Sequence, residues 1–175
     1  LEDEEVSVEL EKNFKKRNIN FLTGHKVESV EVTAAGVRIV VSAGAEKKTL
    51  EADQALVAIG FRPNSKGLGL EEAGVKLNER GFIEIDERMS TSVPGIWAIG
   101  DVTGKLMLAH VGSAQGIVAA EHIAGHETVT LDYEMMPRAT YCQPQIASFG
   151  LTEAQAKERG YQVKASRFPF QANGK

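Results

Sequence analysis

An aspartate that follows a glycine at the end of an apolar run is a pair well suited to binding a ligand. Gly100 and Asp101 come directly after Ile96-Trp97-Ala98-Ile99, a run typical of a strand buried on both faces. Glycine lets a ligand approach the backbone closely, and a carboxylate accepts hydrogen bonds from sugar or polyol hydroxyls. The alternative for a Gly-Asp pair is an ordinary turn, because both residues are common in turns.

A second candidate for chemistry is the start of a helix predicted from about Ala109 to Ala124, directly after Met107 and Leu108. The first turn of a helix presents unpaired N–H groups and a partial charge of about +0.5, which attract an anionic group. The alternatives are core packing for Met107 and Leu108 and a helix-capping role for His110. The apolar face of this helix comprises Val111, Ala114, Val118 and Ile123, and Gly125 ends it.

A third candidate lies at the end of the apolar run from Gln54 to Gly60, which predicts another buried parallel strand. Ligands of such sheets bind at the carboxyl ends of the strands. Before it, alternating apolar and polar residues between Ile19 and Ile59 predict a short antiparallel meander.

The remaining elements would position these residues. A helix is predicted over residues 4–17, with acidic residues at its start and basic residues at its end. From Asp132 onward a new unit is predicted. The further predicted elements are a loop with a short helix (Pro63 to Gly81), strands at Phe82–Asp86, near Gln145–Gly150 and near Gln162–Phe168, and a helix opened by Thr152.

Composition excludes several classes of partner. The 175 residues carry 20 basic and 24 acidic side chains, a net charge of -4, without the dense basic stripe that nucleic acid or anionic lipid would require. No apolar stretch approaches the ~18 residues of a membrane helix. A single cysteine, Cys142, excludes an internal disulfide and fits a reducing compartment, either a bacterial cytoplasm or a mitochondrial matrix. No metal site is predicted.

The eleven residues from Thr91 to Asp101 resemble the flavin-binding domain of the pyridine nucleotide-disulfide oxidoreductases. The resemblance implies that Asp101 binds the ribityl chain of FAD. The run Met107-Leu108-Ala109-His110 is similar to the dihydrolipoyl dehydrogenase branch of that family, in which these four residues lie beside the flavin ring. Glutathione and mercuric reductases differ at this run.

Upstream, the run from Leu56 to Asn64 is similar to the end of the NAD domain of the same family. The resemblance implies that Gly60 lets the nicotinamide half of NAD approach and that Val27 lines the adenine pocket. Phe61 stands where the family often has Arg, so contacts to the nicotinamide ribose are not carried over. The alternative for Val27 is a plain core valine.

The resemblance also implies the fold and the domains. The expected fold class is α/β, with partial Rossmann-like FAD- and NAD(P)-binding domains in three layers and the start of an α+β dimerisation domain. The expected domains are residues 1–65 (end of the NAD domain), 66–131 (end of the FAD domain) and 132–175 (start of the dimerisation domain). Cys142 replaces the usual Thr and is expected to be a partly buried, non-catalytic thiol.

Three motifs of the family are absent from the sequence: Gly-x-Gly-x-x-Gly, the Cys-x4-Cys redox pair and His-x-His-Pro. We therefore expect a segment of a longer homodimeric enzyme, without catalytic residues of its own. The parent is expected to oxidise dihydrolipoamide with NAD through FAD and a redox disulfide, as a partner of 2-oxoacid dehydrogenase components that carry lipoyl domains. The alternatives are a sibling flavin disulfide reductase or a non-catalytic folded remnant.

Overall fold

The computed structural model describes residues 2–174, apart from the side chain of Gln171. Leu1 and Lys175, which belong to the first and last predicted domains, lie outside the described residues. The chain divides into two compact units, one formed by residues 12–61 and the other by residues up to 11 together with those from 62 onward. Each unit is described by itself.

Helix α1 (Glu4–Lys16) confirms the first predicted helix. Glu4 and Glu5 lie in its first turn and Lys15 and Lys16 in its last, so both ends complement the helix dipole. Asn18 has a left-handed φ of 57°, and Ile19 donates its N–H to the carbonyl of Phe14, which ends the helix.

The predicted meander is confirmed as an antiparallel sheet of β1 (Lys26–Thr33), β2 (Gly36–Ala43) and β3 (Glu46–Ala52), with β2 in the middle. Its register shifts between Val27 and Ser29, which marks a bulge at Glu28. Only glycine fits at position 36, because its φ is +139° and a Cβ there would lie 2.3 Å from the carbonyl oxygen of Ala52.

The predicted buried strand at Gln54–Gly60 is wrong for this structure. The segment has no regular structure, and Leu56 and Ile59 are each 92% exposed. A strand of this type forms only when neighbouring strands bond to both of its edges and helices cover both of its faces. No such neighbours occur among residues 2–174.

In the other unit, the predicted strands Phe82–Asp86 and Ile96–Ile99 are reduced to isolated bridges, Leu77 with Ile83 and Ser90 with Trp97. The predicted burial of the Ile96–Ile99 segment is nevertheless confirmed at Ala98, which forms a core cluster with Val75 and Ile83. The strand assignment was wrong for the same reason as above, since no parallel partner lies beside them in the described part of the chain. The predicted short helix between Pro63 and Gly81 is a series of turns.

Helix α2 (Ala109–Ile123) confirms the central predicted helix. It buries Val111, Gln115, Val118 and Ala119, whereas the predicted core residue Ile123 is 59% exposed. Near its end, the ring of His122 accepts a hydrogen bond at Nδ1 from Nε1 of Trp97, at 3.1 Å. Gly125 follows with a φ of 74°, as expected for the residue that ends a helix.

The last part of the chain contains a two-stranded antiparallel sheet, β4 (Arg138–Thr140) with β5 (Ile146–Ser148), and helix α3 (Glu153–Glu158). Thr152 and Gln155 form a reciprocal cap at the start of α3. The strand predicted at Gln162–Phe168 is wrong, because that segment has no regular structure. Among residues 2–174, no helix combines the length and the apolar character needed to cross a bilayer.

Candidate functional site

The turn that carries Asp101 is a single 3-10 turn, Gly100–Thr103, at the end of the buried segment around Ala98. Gly100 has a φ of +74°, which glycine adopts without strain. The hydroxyl of Thr103 donates to the carbonyl of Gly100 at 2.8 Å, and the N–H of Ile83 donates to the carbonyl of Val102 at 2.9 Å. These bonds hold the backbone of the turn on the core.

The carboxylate of Asp101 is exposed and has no hydrogen-bond partner among the described residues. The space where a side chain of Gly100 would stand is also open, with no atom within 4 Å. The turn therefore offers a charged acceptor beside bare backbone. Such a carboxylate can accept a charge-assisted hydrogen bond from a hydroxyl group of a ligand.

Helix α2 approaches this turn closely because two glycines face it. A Cβ at Gly112 would lie 3.3 Å from the Cα of Gly100, and a Cβ at Gly116 would lie 3.4 Å from Cδ1 of Ile99. Larger residues at these positions would push the helix outward. The two glycines thus set the distance between the helix and the Asp101 turn.

Gln115 is a functional candidate that sequence reasoning missed. It is only 1% exposed, its Oε1 accepts the N–H of Gly100 at 2.6 Å, and its Nε2 donates to the hydroxyl of Tyr133 at 3.0 Å. The available signal was its position between Val111 and Val118 on the apolar face of the helix, because a polar residue on such a face must find buried partners.

The run Met107-Leu108-Ala109-His110 leads into α2 as predicted, with Met107 and Leu108 half-buried and Ala109 and His110 exposed. Val111 and Gly112 both donate to the carbonyl of Leu108, while the N–H groups of Ala109 and His110 find no acceptor among the described residues. The ring of His110 bonds through Nε2 to the carbonyl of Pro137 at 2.9 Å. Because a carbonyl only accepts, Nε2 carries the hydrogen.

Together, the Asp101 turn and the start of α2 present one carboxylate acceptor and two open backbone donors on adjacent segments. These groups can accept a hydrogen bond from a hydroxyl group and donate hydrogen bonds to a carbonyl oxygen or an anionic group. Asp101, Met107, Leu108, Ala109 and His110 all belong to one unit, in which α2 contacts the Asp101 turn.

The two residues expected at the nicotinamide nucleotide, Val27 and Gly60, belong to the other unit. Val27 pairs with Val41 across the sheet and is 52% exposed. Gly60 lies in the irregular segment with a φ of +134°, and nothing stands within 4 Å of its missing side chain. No described strand pairing or hydrogen bond joins the two residues.

Other features of the described residues carry no chemistry of this kind. An open hollow of about 540 Å³ lies at the turns of the meander, between Thr33 and Asp53, and none of the predicted site residues lines it. Residues 2–174 contain no group of three side chains suited to a metal ion. Cys142 is half-buried, as predicted, and its Sγ donates to the carbonyl of Pro144 at 2.9 Å.

Glu134, the residue after Tyr133, forms an ion pair with Arg159. Glu134 accepts from the guanidinium of Arg159, with one N–O distance of 3.0 Å. The hydrogen bond and the charge of Glu134 raise the pKa of Arg159 above its usual value. Both side chains are about half exposed, so the pair contributes little to stability.

The family described as pyridine nucleotide-disulphide oxidoreductase matches residues 1–116, and its dimerisation domain matches residues 136–175. Two curated relatives are named dihydrolipoyl dehydrogenase. The relative from Mycobacterium leprae is 57% identical over 99% of this chain, and the one from Corynebacterium glutamicum is 55% identical over 99%. The chain spans 38% of the length of each of these relatives.

Solved structures of similar fold include LpdA from Mycobacterium tuberculosis, with a TM-score of 0.83 and 31% identity. The match covers 91% of this chain and 34% of the LpdA chain. The HOCl-induced flavoprotein disulfide reductase RclA from Escherichia coli has a TM-score of 0.86 and 25% identity over 99% of this chain and 39% of its own. The expected fold class is therefore confirmed.

Proposed function

This chain belongs to the pyridine nucleotide-disulphide oxidoreductase family, and we propose that it is part of a dihydrolipoyl dehydrogenase. The proposed reaction of the full-length parent oxidises dihydrolipoamide to lipoamide and reduces NAD⁺. The dithiol loses two protons and two electrons as its S–S bond forms, NAD⁺ takes up a hydride, and one proton is released. The proposal is supported by the names of the similar relatives.

The observation that carries the proposal is the set of open polar groups around the Asp101 turn. We assign the ribityl hydroxyls of FAD to the carboxylate of Asp101, and the flavin ring to the start of α2. Met107 and Leu108 would supply apolar contact there, and the amides of Ala109 and His110 would donate hydrogen bonds. When bound, FAD supplies the two-electron carrier between a dithiol and a nicotinamide.

His110 has a narrower role in this proposal than its position suggests. Its ring is bonded to Pro137, so its contribution at the flavin ring is the backbone N–H rather than the imidazole. The positive end of the α2 dipole would stabilise negative charge on a group held there, without a titrating side chain. The protein thereby holds the ring and orients it but donates no proton from this segment.

NAD is the proposed second cofactor, with Gly60 beside the nicotinamide half and Val27 in the adenine pocket. In support, Gly60 has open space on its side-chain side, and Val27 is half exposed at the edge of the meander. No catalytic residue is assigned to this chain, since the redox cysteines and the proton-accepting histidine of the family have no counterpart in its sequence. The proposed domains remain residues 1–65, 66–131 and 132–175.

The proposed assembly is a homodimer formed in part by residues 132–175, in contact with lipoyl-bearing components of a 2-oxoacid dehydrogenase complex. Support comes from the match to the dimerisation domain. The bacterial sources of the similar relatives favour the cytoplasm as the compartment. A mitochondrial matrix is the alternative compartment.

A second candidate function applies to the isolated chain, which we infer is a folded remnant that leaves FAD unbound. The supporting observation is the exposed segment from Gln54 to Gly60, with Leu56 and Ile59 both at 92% exposure. The pyrophosphate of a dinucleotide is normally held by a glycine-rich turn, and this sequence has none. A sibling flavin disulfide reductase is the alternative enzyme, and RclA represents that group.

The test is an FAD titration of the full-length parent and its Asp101→Ala variant, followed by absorbance. We expect the variant to bind FAD about 10- to 100-fold more weakly, since charge-assisted hydrogen bonds of this type contribute ~1.5–3 kcal/mol. Asp53→Ala is the matched control, because Asp53 is also exposed and is not assigned to the site. Equal affinities of the two variants would refute the role of Asp101.

The substrate is tested separately. With FAD bound, the parent should form NADH from dihydrolipoamide and NAD⁺ and should fail to reduce glutathione disulfide. Reduction of glutathione disulfide with no activity on dihydrolipoamide would assign the parent to a sibling reductase instead.

A further inference from the structure

We propose that Gln115 is a positioning residue that fixes the Gly100–Asp101 turn for FAD and joins this turn to the chain around Tyr133. The proposal deepens the FAD site proposed above and rests on it. Gln115 touches neither cofactor nor substrate in this assignment. It acts through the backbone of Gly100.

The orientation of the Gln115 amide is determined by its partners. The N–H of Gly100 can only donate, so the atom 2.6 Å away must be the oxygen of the amide. The amide nitrogen then faces the hydroxyl of Tyr133 at 3.0 Å, which accepts from it. At 1% exposure, the side chain has no access to water that could replace either bond.

The bond to Gly100 acts on the residue that directs Asp101. Gly100 has a φ of +74°, and glycine is the residue least restrained by its own conformation. The hydroxyl of Thr103 holds the carbonyl of Gly100, and Gln115 holds its N–H. The N–H and the C=O of Gly100 are therefore both hydrogen-bonded. This fixes the direction in which the chain enters Asp101.

The bond to Tyr133 extends this constraint into the following segment. Asp132 accepts from the N–H groups of Glu134 and Met135, and the carbonyl of Glu134 accepts from the N–H of Gly150 at 2.7 Å. A second link, from the ring of His110 to Pro137, runs parallel to the first. Gln115 is thus the point at which the Asp101 turn is hydrogen-bonded to the segment that precedes β4.

The experiment uses the full-length parent with three variants. Gln115→Leu removes both hydrogen bonds but keeps most of the volume. Gln115→Glu keeps an oxygen that can accept the N–H of Gly100 whether or not it is protonated. Gln162→Leu is the matched control, because it makes the same substitution at an exposed residue outside regular structure. FAD dissociation constants are measured by absorbance titration.

We expect Gln115→Leu to weaken FAD binding about tenfold or more, since it leaves a backbone N–H without a partner. Gln115→Glu should remain within about threefold of the parent, and Gln162→Leu should match the parent. Failure of Gln115→Glu to restore affinity, or an equal loss in Gln162→Leu, would overturn the proposal.

Tyr133→Phe separates the two bonds of Gln115, because it removes only the hydroxyl and leaves the bond to Gly100. We expect its FAD affinity to lie closer to that of the parent than to that of Gln115→Leu. An effect as large as that of Gln115→Leu would mean that the Tyr133 segment, rather than the Gly100 turn, determines FAD binding. That result would also overturn the proposal.

Hydrogen exchange provides a readout that needs neither activity nor FAD. In the cofactor-free parent, Gln115→Leu should speed exchange of the Gly100 amide while Val118 and Ala119, buried on α2, stay protected. Equal loss of protection at all three amides would show that Gln115 only supports the helix, which contradicts positioning. If the parent binds no FAD, the proposed function fails. The exchange result still tests whether Gln115 fixes the Gly100 amide.

Discussion

Glu28, at the bulge of β1, is a carboxylate with two partners that favour its charged form. The hydroxyl of Ser42 donates to it at 2.7 Å, and the ammonium of Lys26 lies 3.5 Å away. These contacts, the hydrogen bond first, lower the pKa of Glu28 from its usual value of 4.5. A carboxylate whose pKa falls on folding stabilises the folded state above that value and loses this contribution as the pH falls through the lowered pKa.

We therefore expect the Glu28→Gln variant of the 175-residue chain to unfold at a lower urea concentration than the unsubstituted chain at neutral pH. The difference should shrink as the pH falls below about 4.5, because the carboxylate of Glu28 then becomes protonated and is neutral, like the amide that replaces it. Glu46→Gln, an exposed position in the same sheet, is the control and should change little. A difference between Glu28→Gln and the parent that stays constant with pH would contradict the assigned cause.

At the level of residues, the sequence could single out Asp101 and the start of α2 as candidates because their signals are local. A glycine before a carboxylate and a helix start are visible in neighbouring residues. Gln115 was missed because its role depends on three segments, around Gly100, Gln115 and Tyr133, meeting in the folded chain. Likewise, the bond from the His110 ring to Pro137 cannot be predicted from spacing.

Among the elements, the Asp101 turn ends at Gly104, which packs directly on an aromatic ring. Gly104 has a φ of +65°, and a Cβ there would lie 2.6 Å from the ring of Phe82, which is buried. We expect Gly104→Ala to lower the free energy of unfolding by about 2–4 kcal/mol, from backbone strain plus overpacking. Thermal unfolding measures the change.

Gly95→Ala is the matched control for that experiment. Gly95 also has a positive φ, +85°, but nothing lies within 4 Å of its missing side chain. Its substitution should cost only the ~1–2 kcal/mol of backbone strain. Equal losses in the two variants would show that Phe82 moves aside and that the packing at Gly104 is not restrictive.

The predicted elements that formed are those whose bonds lie within themselves or with chain neighbours. The helices α1 and α2 satisfy their own backbone groups, and the meander pairs strands that are adjacent in sequence. The predicted strands at Gln54–Gly60, Ile96–Ile99 and Gln162–Phe168 failed because a lone strand has no partners for its N–H and C=O groups. Their apolar composition still predicted the burial of Ala98, where core residues from nearby loops cover it.

For the molecule as a whole, the exposed segment from Gln54 to Gly60 should cause the isolated 175-residue chain to associate. Leu56 and Ile59 are both 92% exposed on a segment without strand partners, and such edges pair with other chains. We expect the apparent mass from light scattering to rise with concentration. The double variant Leu56→Lys, Ile59→Lys should reduce that rise without lowering the thermal midpoint, because neither side chain is packed.

Val32→Lys is the control for this prediction, since Val32 is 83% exposed but lies on a paired strand of the meander. It should leave the association largely unchanged. If the unsubstituted 175-residue chain remains monomeric at high concentration, the prediction is refuted. An equal effect of Val32→Lys would show that the chains associate through the meander instead.

Trp97 makes the docking of α2 visible by fluorescence. It is the single tryptophan of the chain, it lies just before Gly100, and its Nε1–H is bonded to His122 on α2. The imidazole stands edge-on to the indole, with 6.0 Å between ring centroids. Separation of α2 from the Asp101 turn would expose the indole to water and shift its emission to longer wavelength. One emission spectrum of this chain therefore reports whether the helix that carries Gln115 remains seated against that turn.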